Sequence, residues 1–170
     1  MATTYGSLEA ANTYFNDRLH SDLWFTESNS DRTKALYKAT TIVDSLNYKG
    51  RKAAVYTAML ADEDITELEI RVAEASQELE FPRDEDTTVP TQIENATYEL
   101  AFSLLDGVDP DLELENLAVK SQAYAGVRTT YDRNLQPIEH IVNGVPSATA
   151  WRMLRPFLRD TYSILMSRIS

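Results

Sequence analysis

The segment PTQIENATYELAFSLLDGVDP, from Pro90 to Pro110, decides the fold of this chain. Pro90 suits the first turn of a helix, and Gly107 with Pro110 ends it. Between them, apolar side chains recur at spacings of three and four: Ile93, Ala96, Leu100, Ala101, Leu104 and Leu105. This spacing lines one face of an α-helix and predicts a core helix around which other helices pack.

The residues nearer the N-terminus predict two further helices. Ser7 is a suitable N-cap for an amphipathic helix over residues 8–19. Asp31 can cap a second helix that ends near Leu46. Between them, Trp24 and Phe25 stand in a polar loop, where we expect both rings to close the edge of the core.

Residues 51–89 predict a weaker helical run at 52–61, then an acidic helix from about residue 65 to 78 and a polar linker. Pro82 prevents the acidic helix from continuing. Acidic residues at its start interact favourably with the helix dipole. Its apolar positions form a stripe: Ile65, Leu68, Val72 and Leu79.

Beyond Asn116 the apolar period changes. Residues 119–124 and 127–131 resemble two short strands of a hairpin. Ser147 can cap a terminal helix that Pro156 interrupts. The predicted fold class is therefore mainly α, a helical bundle with a small β-hairpin and a C-terminal helical extension. We treat residues 1–170 as one domain with five parts: N-terminal helices (1–50), acidic insertion and linker (51–89), core helix and acidic loop (90–116), hairpin region (117–146) and C-terminal docking segment (147–170).

Charge is segregated along the chain, whose net charge is −11. Residues 62–116 contain 18 Asp or Glu and two Arg, whereas residues 117–170 contain seven Lys or Arg and three acids. A nucleic-acid binder needs clustered cations to displace phosphate counterions, so the balance disfavours that class. The absence of cysteine excludes disulfides and thiol chemistry. No apolar run approaches the ~20 residues of a membrane span, and we expect no membrane partner.

The motifs that would indicate an enzyme are missing. His20 and His140 are the only imidazoles, and neither belongs to a metal-binding spacing. The five glycines are isolated, so no phosphate-binding loop is formed. The acidic clusters 62–69 and 106–111 do not match a calcium loop. We expect no catalytic residue, no cofactor and no metal.

The C-terminal segment is the strongest candidate for a protein contact. It combines Arg with large apolar side chains, the residue types that anchor interfaces. A core role for part of it remains open, but we expect the bundle to stay folded without residues 151–170. The candidate docking residues are Trp151, Arg152, Leu154, Arg155, Phe157, Leu158, Arg159 and Tyr162.

Several motifs recur in an order typical of one family. Residues 5–15 read YGSLEAANTYF, Trp24 follows, and residues 34–40 read KALYKAT. Asp44, Tyr48, Lys49 and Gly50 come next, then Leu79-Glu80-Phe81-Pro82-Arg83, Pro90 and Glu99-Leu100-Ala101. Over residues 5–105 the chain resembles the head–tail connector, adaptor or head-completion proteins of tailed bacteriophages. Members are also described as DnaT-like single-stranded DNA-binding proteins.

The resemblance implies a homo-oligomeric ring, commonly of twelve copies, beneath the portal protein in the head–tail neck of the virion. The next tail-side connector or tail terminator protein docks below it, and genomic DNA passes through without specific binding. Such a protein is made in the host cytoplasm. One departure is clear, because about thirty residues separate Gly50 from Phe81 where typical members have a short loop.

The charge distribution separates the two descriptions of the family. A single-strand binder needs a cationic groove with stacking aromatics. A channel that lets DNA slide is better lined by acids, because each neutralised phosphate strengthens binding. The adaptor is therefore our expectation. The alternative is a DNA-binding accessory protein that uses Lys34, Lys38, Arg51 and Lys52, and a hydrolase or metal enzyme in the acidic segment comes third.

Overall fold

The computed structural model describes residues 3–109, 111–112, 115, 121–124, 127–130 and 138–159. These ranges contain eight α-helices and a 3-10 helix, Arg155–Phe157. The helices are α1 (Leu8–Asn16), α2 (Asp22–Thr26), α3 (Asn29–Asp44), α4 (Ala53–Ala61), α5 (Glu67–Ser76), α6 (Thr91–Leu105), α7 (Glu139–Val142) and α8 (Ala148–Leu154). The mainly helical bundle predicted from the sequence is confirmed.

Strands β1 (Ser121–Tyr124) and β2 (Val127–Thr130) occupy the region of the predicted hairpin. They pair antiparallel, with Ser121 opposite Thr130 and Tyr124 opposite Val127.

Helix α6 is the centre of the bundle and contacts α1, α2, α3 and α8. Its predicted stripe is buried at Ile93, Ala96, Leu100 and Ala101 and half-buried at the last two leucines. Pro90 is the N-cap of the helix and not a residue of its first turn as predicted, and the helix runs from Thr91 to Leu105, before Gly107.

The first two helices place the aromatic edge of the core. Ser7 caps α1, its Oγ accepting from the amide of Ala10 at 3.1 Å. The helix ends at Asn16, three residues before the predicted end. Trp24 lies in α2, is fully buried and stacks on Phe15 with 4.5 Å between ring centroids. Phe25 stays 43% exposed, so the expectation that both rings fill the core was wrong for Phe25.

Helix α3 begins earlier than predicted. Ser28, not Asp31, is its N-cap, and the Ser28 hydroxyl oxygen accepts from the amide of Asp31 at 3.1 Å. Both residue types cap helices well, and with Ser28 as the cap Asp31 lies in the first turn, where its charge interacts favourably with the helix dipole.

Helices α4 and α5 contact each other, and the pair is here named the acidic hairpin (residues 53–76). Thr66 and Glu69 form a capping box at the start of α5. No residue of α5 is buried, and Leu68 and Val72 are 72% and 63% exposed. The predicted apolar stripe is therefore exposed to solvent at those two positions.

Candidate docking surface and its supporting network

The C-terminal segment divides its side chains between core and solvent. Ser147 caps α8, as predicted, by accepting from the amide of Ala150 at 3.2 Å. Trp151 and Leu154 point into the core, and Leu154 is fully buried. The chain then turns through the 3-10 helix at Pro156. Removing residues 151–170 would therefore remove part of the core, and the expectation that the bundle folds without them does not fit this burial.

The predicted docking residues fall into four groups. Arg152, Arg155 and Arg159 are exposed, and none of them forms an ion pair within the described part of the chain. Phe157 and Leu158 are half-buried against the core, beside the buried Trp151 and Leu154. Tyr162 lies outside the described residues. Among the described candidate docking residues, only the three arginines are classed as exposed.

The base of this arginine surface is fixed to the loop after α3. The amide of Lys49 donates to the carbonyl of Phe157 at 2.9 Å, and the amide of Arg159 donates to the carbonyl of Asn47 at the same distance. The Lys49 ammonium donates to the carbonyl of Pro156 at 3.2 Å. These bonds join two distant parts of the chain and hold Arg155 and Arg159 on a fixed backbone.

The Arg83 side chain ties the same loop to the segment that follows α5. Its guanidinium donates to the carbonyl oxygens of Lys49 and Gly50, both at 2.8 Å. It also pairs with the carboxylate of Glu80 at 2.5 Å, and only 11% of the side chain is exposed. Most of its hydrogen-bonding capacity is used within the fold, so Arg83 is a structural cation.

A second polar network connects the N-terminus to Asp44. The Tyr5 hydroxyl donates to the Asp44 carboxylate and accepts from the amide of Phe81 at 3.1 Å. The amide of Glu80 donates to the same carboxylate oxygen at 3.2 Å. Burial raises the pKa of the Asp44 carboxyl above its usual range, although the hydrogen bond from Tyr5 opposes this change. Burial, with Asp44 beside it, also raises the pKa of Tyr5.

Glu99 is a buried carboxylate at the centre of α6, with a side chain 5% exposed. Arg18 holds it with two bonds, from Nε at 2.7 Å and Nη2 at 3.0 Å. The Tyr14 hydroxyl donates to it at 2.8 Å. Arg18 also lies 4.3 Å above the Phe102 ring centroid. Sequence reasoning did not single out this site, although an acid inside an apolar repeat signals that a buried partner is required.

The basic residues of the DNA-binding alternative are not joined into one free surface. Lys34 pairs with Asp31 at 2.9 Å. Lys52 is 13% exposed, lies 3.4 Å from the Glu80 carboxylate and donates to the carbonyl of Gln77. Lys38 and Arg51 are exposed.

Among the described residues, no cluster of three or more His, Asp or Glu side chains is arranged to hold a metal ion. No helix in the same ranges combines the length and apolarity needed to cross a membrane.

Comparisons with family models, curated proteins and solved structures gave no match to this chain.

Proposed function

We propose that this chain is a structural virion protein, not an enzyme, that forms a ring-shaped adaptor between the portal and the tail of a tailed phage. The observation that carries the proposal is the meeting of its family-like motifs in space. Tyr5 is hydrogen-bonded to Phe81, and Arg83 is hydrogen-bonded to Lys49 and Gly50. Motifs that are far apart in sequence thus form one structural unit, which supports reading their ordered recurrence as a shared architecture.

The portal contact is assigned in this proposal to the C-terminal segment. Its support is the exposed set of Arg152, Arg155 and Arg159 above a backbone fixed by the Asn47–Lys49 loop. Arginine recognises carboxylates through two parallel hydrogen bonds and needs a stable base to do so with high affinity. The expected partner surface on the portal is acidic.

The acidic surfaces fit the passage of DNA. The net charge of −11 makes the assembled ring repel phosphate, so the genome is not retained by the wall. The next tail-side connector or tail terminator protein would dock on the opposite end of the ring.

The test is binding to the portal protein of the same phage. The triple variant Arg152→Glu, Arg155→Glu, Arg159→Glu should lose portal binding in a pull-down while its far-UV circular dichroism stays unchanged. Lys34→Glu with Arg51→Glu reverses exposed charges elsewhere and should bind like the wild type. Equal portal binding by the triple variant would overturn the docking assignment.

Electron microscopy of the mixture tests the wider proposal. A ring seated on one end of the portal is expected. No association with the portal, together with a salt-dependent shift of single-stranded DNA, would favour the DNA-binding alternative instead.

A further inference from the structure

Helix α5 has two apolar faces, and only one of them is covered. Ile70 is half-buried and lines the same small cavity as Val55 of α4. Leu68, Val72 and Ala75 lie at i, i+4 and i+7, which places them along another face. All three are exposed. An apolar face at this spacing is the surface that a helix presents when it lies in a groove of a partner.

A groove of about 480 Å3 lies between α3 and the end of α6. Its apolar side chains, Ile42, Leu104 and Val108, are half-buried. Its charged side chains come from two elements, with Lys38 on α3 and Asp109 and Asp111 after α6. The groove thus offers apolar area between a cation and two acids.

We infer that the Leu68–Val72–Ala75 face of one copy docks in this groove of a neighbouring copy. Both surfaces carry charges of either sign. At 100° per residue, Glu69 and Arg71 fall on opposite flanks of the apolar face. Glu69 uses only Oε2 in its capping box with Thr66, so Oε1 can meet the neighbour's Lys38. Arg71 can exchange its exposed partner Glu67 for the neighbour's Asp109 and Asp111. A hairpin-to-hairpin contact would instead place like charges together, since six of the seven charged side chains in residues 62–74 are acidic.

This contact joins two different surfaces, so it is heterologous and repeats from copy to copy. Repetition closes a ring when the rotation between copies permits it. The inference rests on the proposed ring and names the surfaces that build it. It also gives the residues between Gly50 and Phe81 a role in subunit contact, apart from the arginine surface assigned to the portal.

Cross-linking tests the contact, because the chain contains no cysteine and a thiol can be placed at will. Ala75→Cys lies on the hairpin face, and Thr41→Cys lies one turn from Lys38 on α3. With both substitutions in one chain, a short bis-maleimide should produce a ladder of dimers, trimers and higher species. Each single variant should remain monomeric.

The matched control pairs Ala75→Cys with Thr13→Cys. Thr13 and Thr41 are both exposed helical threonines whose hydroxyls donate to the carbonyl four residues earlier, at 3.1 and 3.0 Å. The control pair should give no ladder. Adding Leu68→Glu to the double-cysteine chain should abolish the ladder, and because Leu68 is 72% exposed the fold should be retained.

Three results would overturn the inference: no ladder up to the solubility limit, an equal ladder from the control pair, or dimers from Ala75→Cys alone. The experiment needs no portal, so its result is independent of the proposed function. A ladder from a chain that fails to bind the portal keeps the contact and rejects the adaptor. Portal binding without a ladder keeps the adaptor and rejects the contact.

Discussion

The hydroxyl group of Tyr98 occupies the space that a β-carbon on Gly6 would fill. Gly6 also has a φ of 75°, a backbone conformation that residues other than glycine adopt at a cost. The glycine at position 6 of this chain therefore has a physical reason, because only glycine lets the N-terminal segment approach α6 this closely.

Gly6→Ala should lower the free energy of unfolding by about 2–5 kcal/mol, from backbone strain and overpacking together. Gly107→Ala is the matched control. Gly107 has a φ of 79° and open space around it, so strain alone applies, at about 1–2 kcal/mol. Urea denaturation of both variants measures the difference. Equal losses would mean that Tyr98 moves aside without cost.

Arg18→Ala should destabilise the fold by about 3–5 kcal/mol, because it leaves the buried Glu99 carboxylate without its cation. Arg71→Ala breaks an ion pair whose side chains are 72% and 78% exposed, and should cost less than about 1 kcal/mol. Chemical denaturation at neutral pH compares them. A small effect of Arg18→Ala would show that water reaches Glu99.

Leu154→Ala and Arg155→Ala separate the core packing of the C-terminal segment from its proposed docking role, at adjacent positions. Leu154 is fully buried, and its truncation should cost about 2–5 kcal/mol. Arg155 is exposed, so its truncation should change stability by less than about 0.5 kcal/mol. Thermal unfolding of the free protein gives both values. Under conditions in which both variants are folded, Arg155→Ala should weaken the proposed binding to the portal.

Asp44→Asn should change how stability depends on pH. The raised pKa means that folded Asp44 binds its proton more tightly than the unfolded chain, whose value is about 3.9. Its contribution to stability is thus fully present below that value and is lost as pH rises through the raised one. Asparagine keeps the acceptor oxygen without the buried charge, so the variant should match or exceed wild-type stability at neutral pH and lose this advantage as pH falls.

Asp31→Asn is the control of opposite sign. Hydrogen bonds from Lys34 and Ser28 lower the pKa of Asp31, so its contribution is present at neutral pH and is lost as pH falls through the lowered value. Denaturation series between pH 3 and 7 should show the two variant-minus-wild-type differences moving in opposite directions. Parallel changes would contradict the assigned burial of Asp44.

The sequence predicted the central elements because their signals are local. The apolar repeat of α6 and the caps Ser7 and Ser147 each depend on residues within one helix. In α5 the repeat predicted the apolar stripe but not its exposure, since periodicity shows that a helix has an apolar face but not whether another element covers it.

The site was predictable in part for the same reason. The exposed arginines of the C-terminal segment follow from composition, whereas the burial of Trp151 and Leu154 depends on α8 packing against α6. In the sequence, Glu99 is one of the 18 acidic residues between positions 62 and 116. Only the fold shows that Arg18, 81 positions away, neutralises it. Long-range pairing of this kind leaves no spacing that a single sequence reveals.

The hydrogen bonds between the Asn47–Lys49 loop and the C-terminal segment also determine when folding can be completed during synthesis. Lys49 and Pro156 lie 107 positions apart, so this closure waits until residue 159 has left the ribosome. The acidic hairpin, by contrast, is held by neighbours in sequence and can form on the nascent chain. Until Trp151 and Leu154 arrive, the apolar face of α6 that they cover stays open. A chain on a ribosome stalled before that point should therefore be cleaved by proteases and bound by chaperones. Once the last helical turns have left the ribosome, the cleavage and the chaperone binding should both stop.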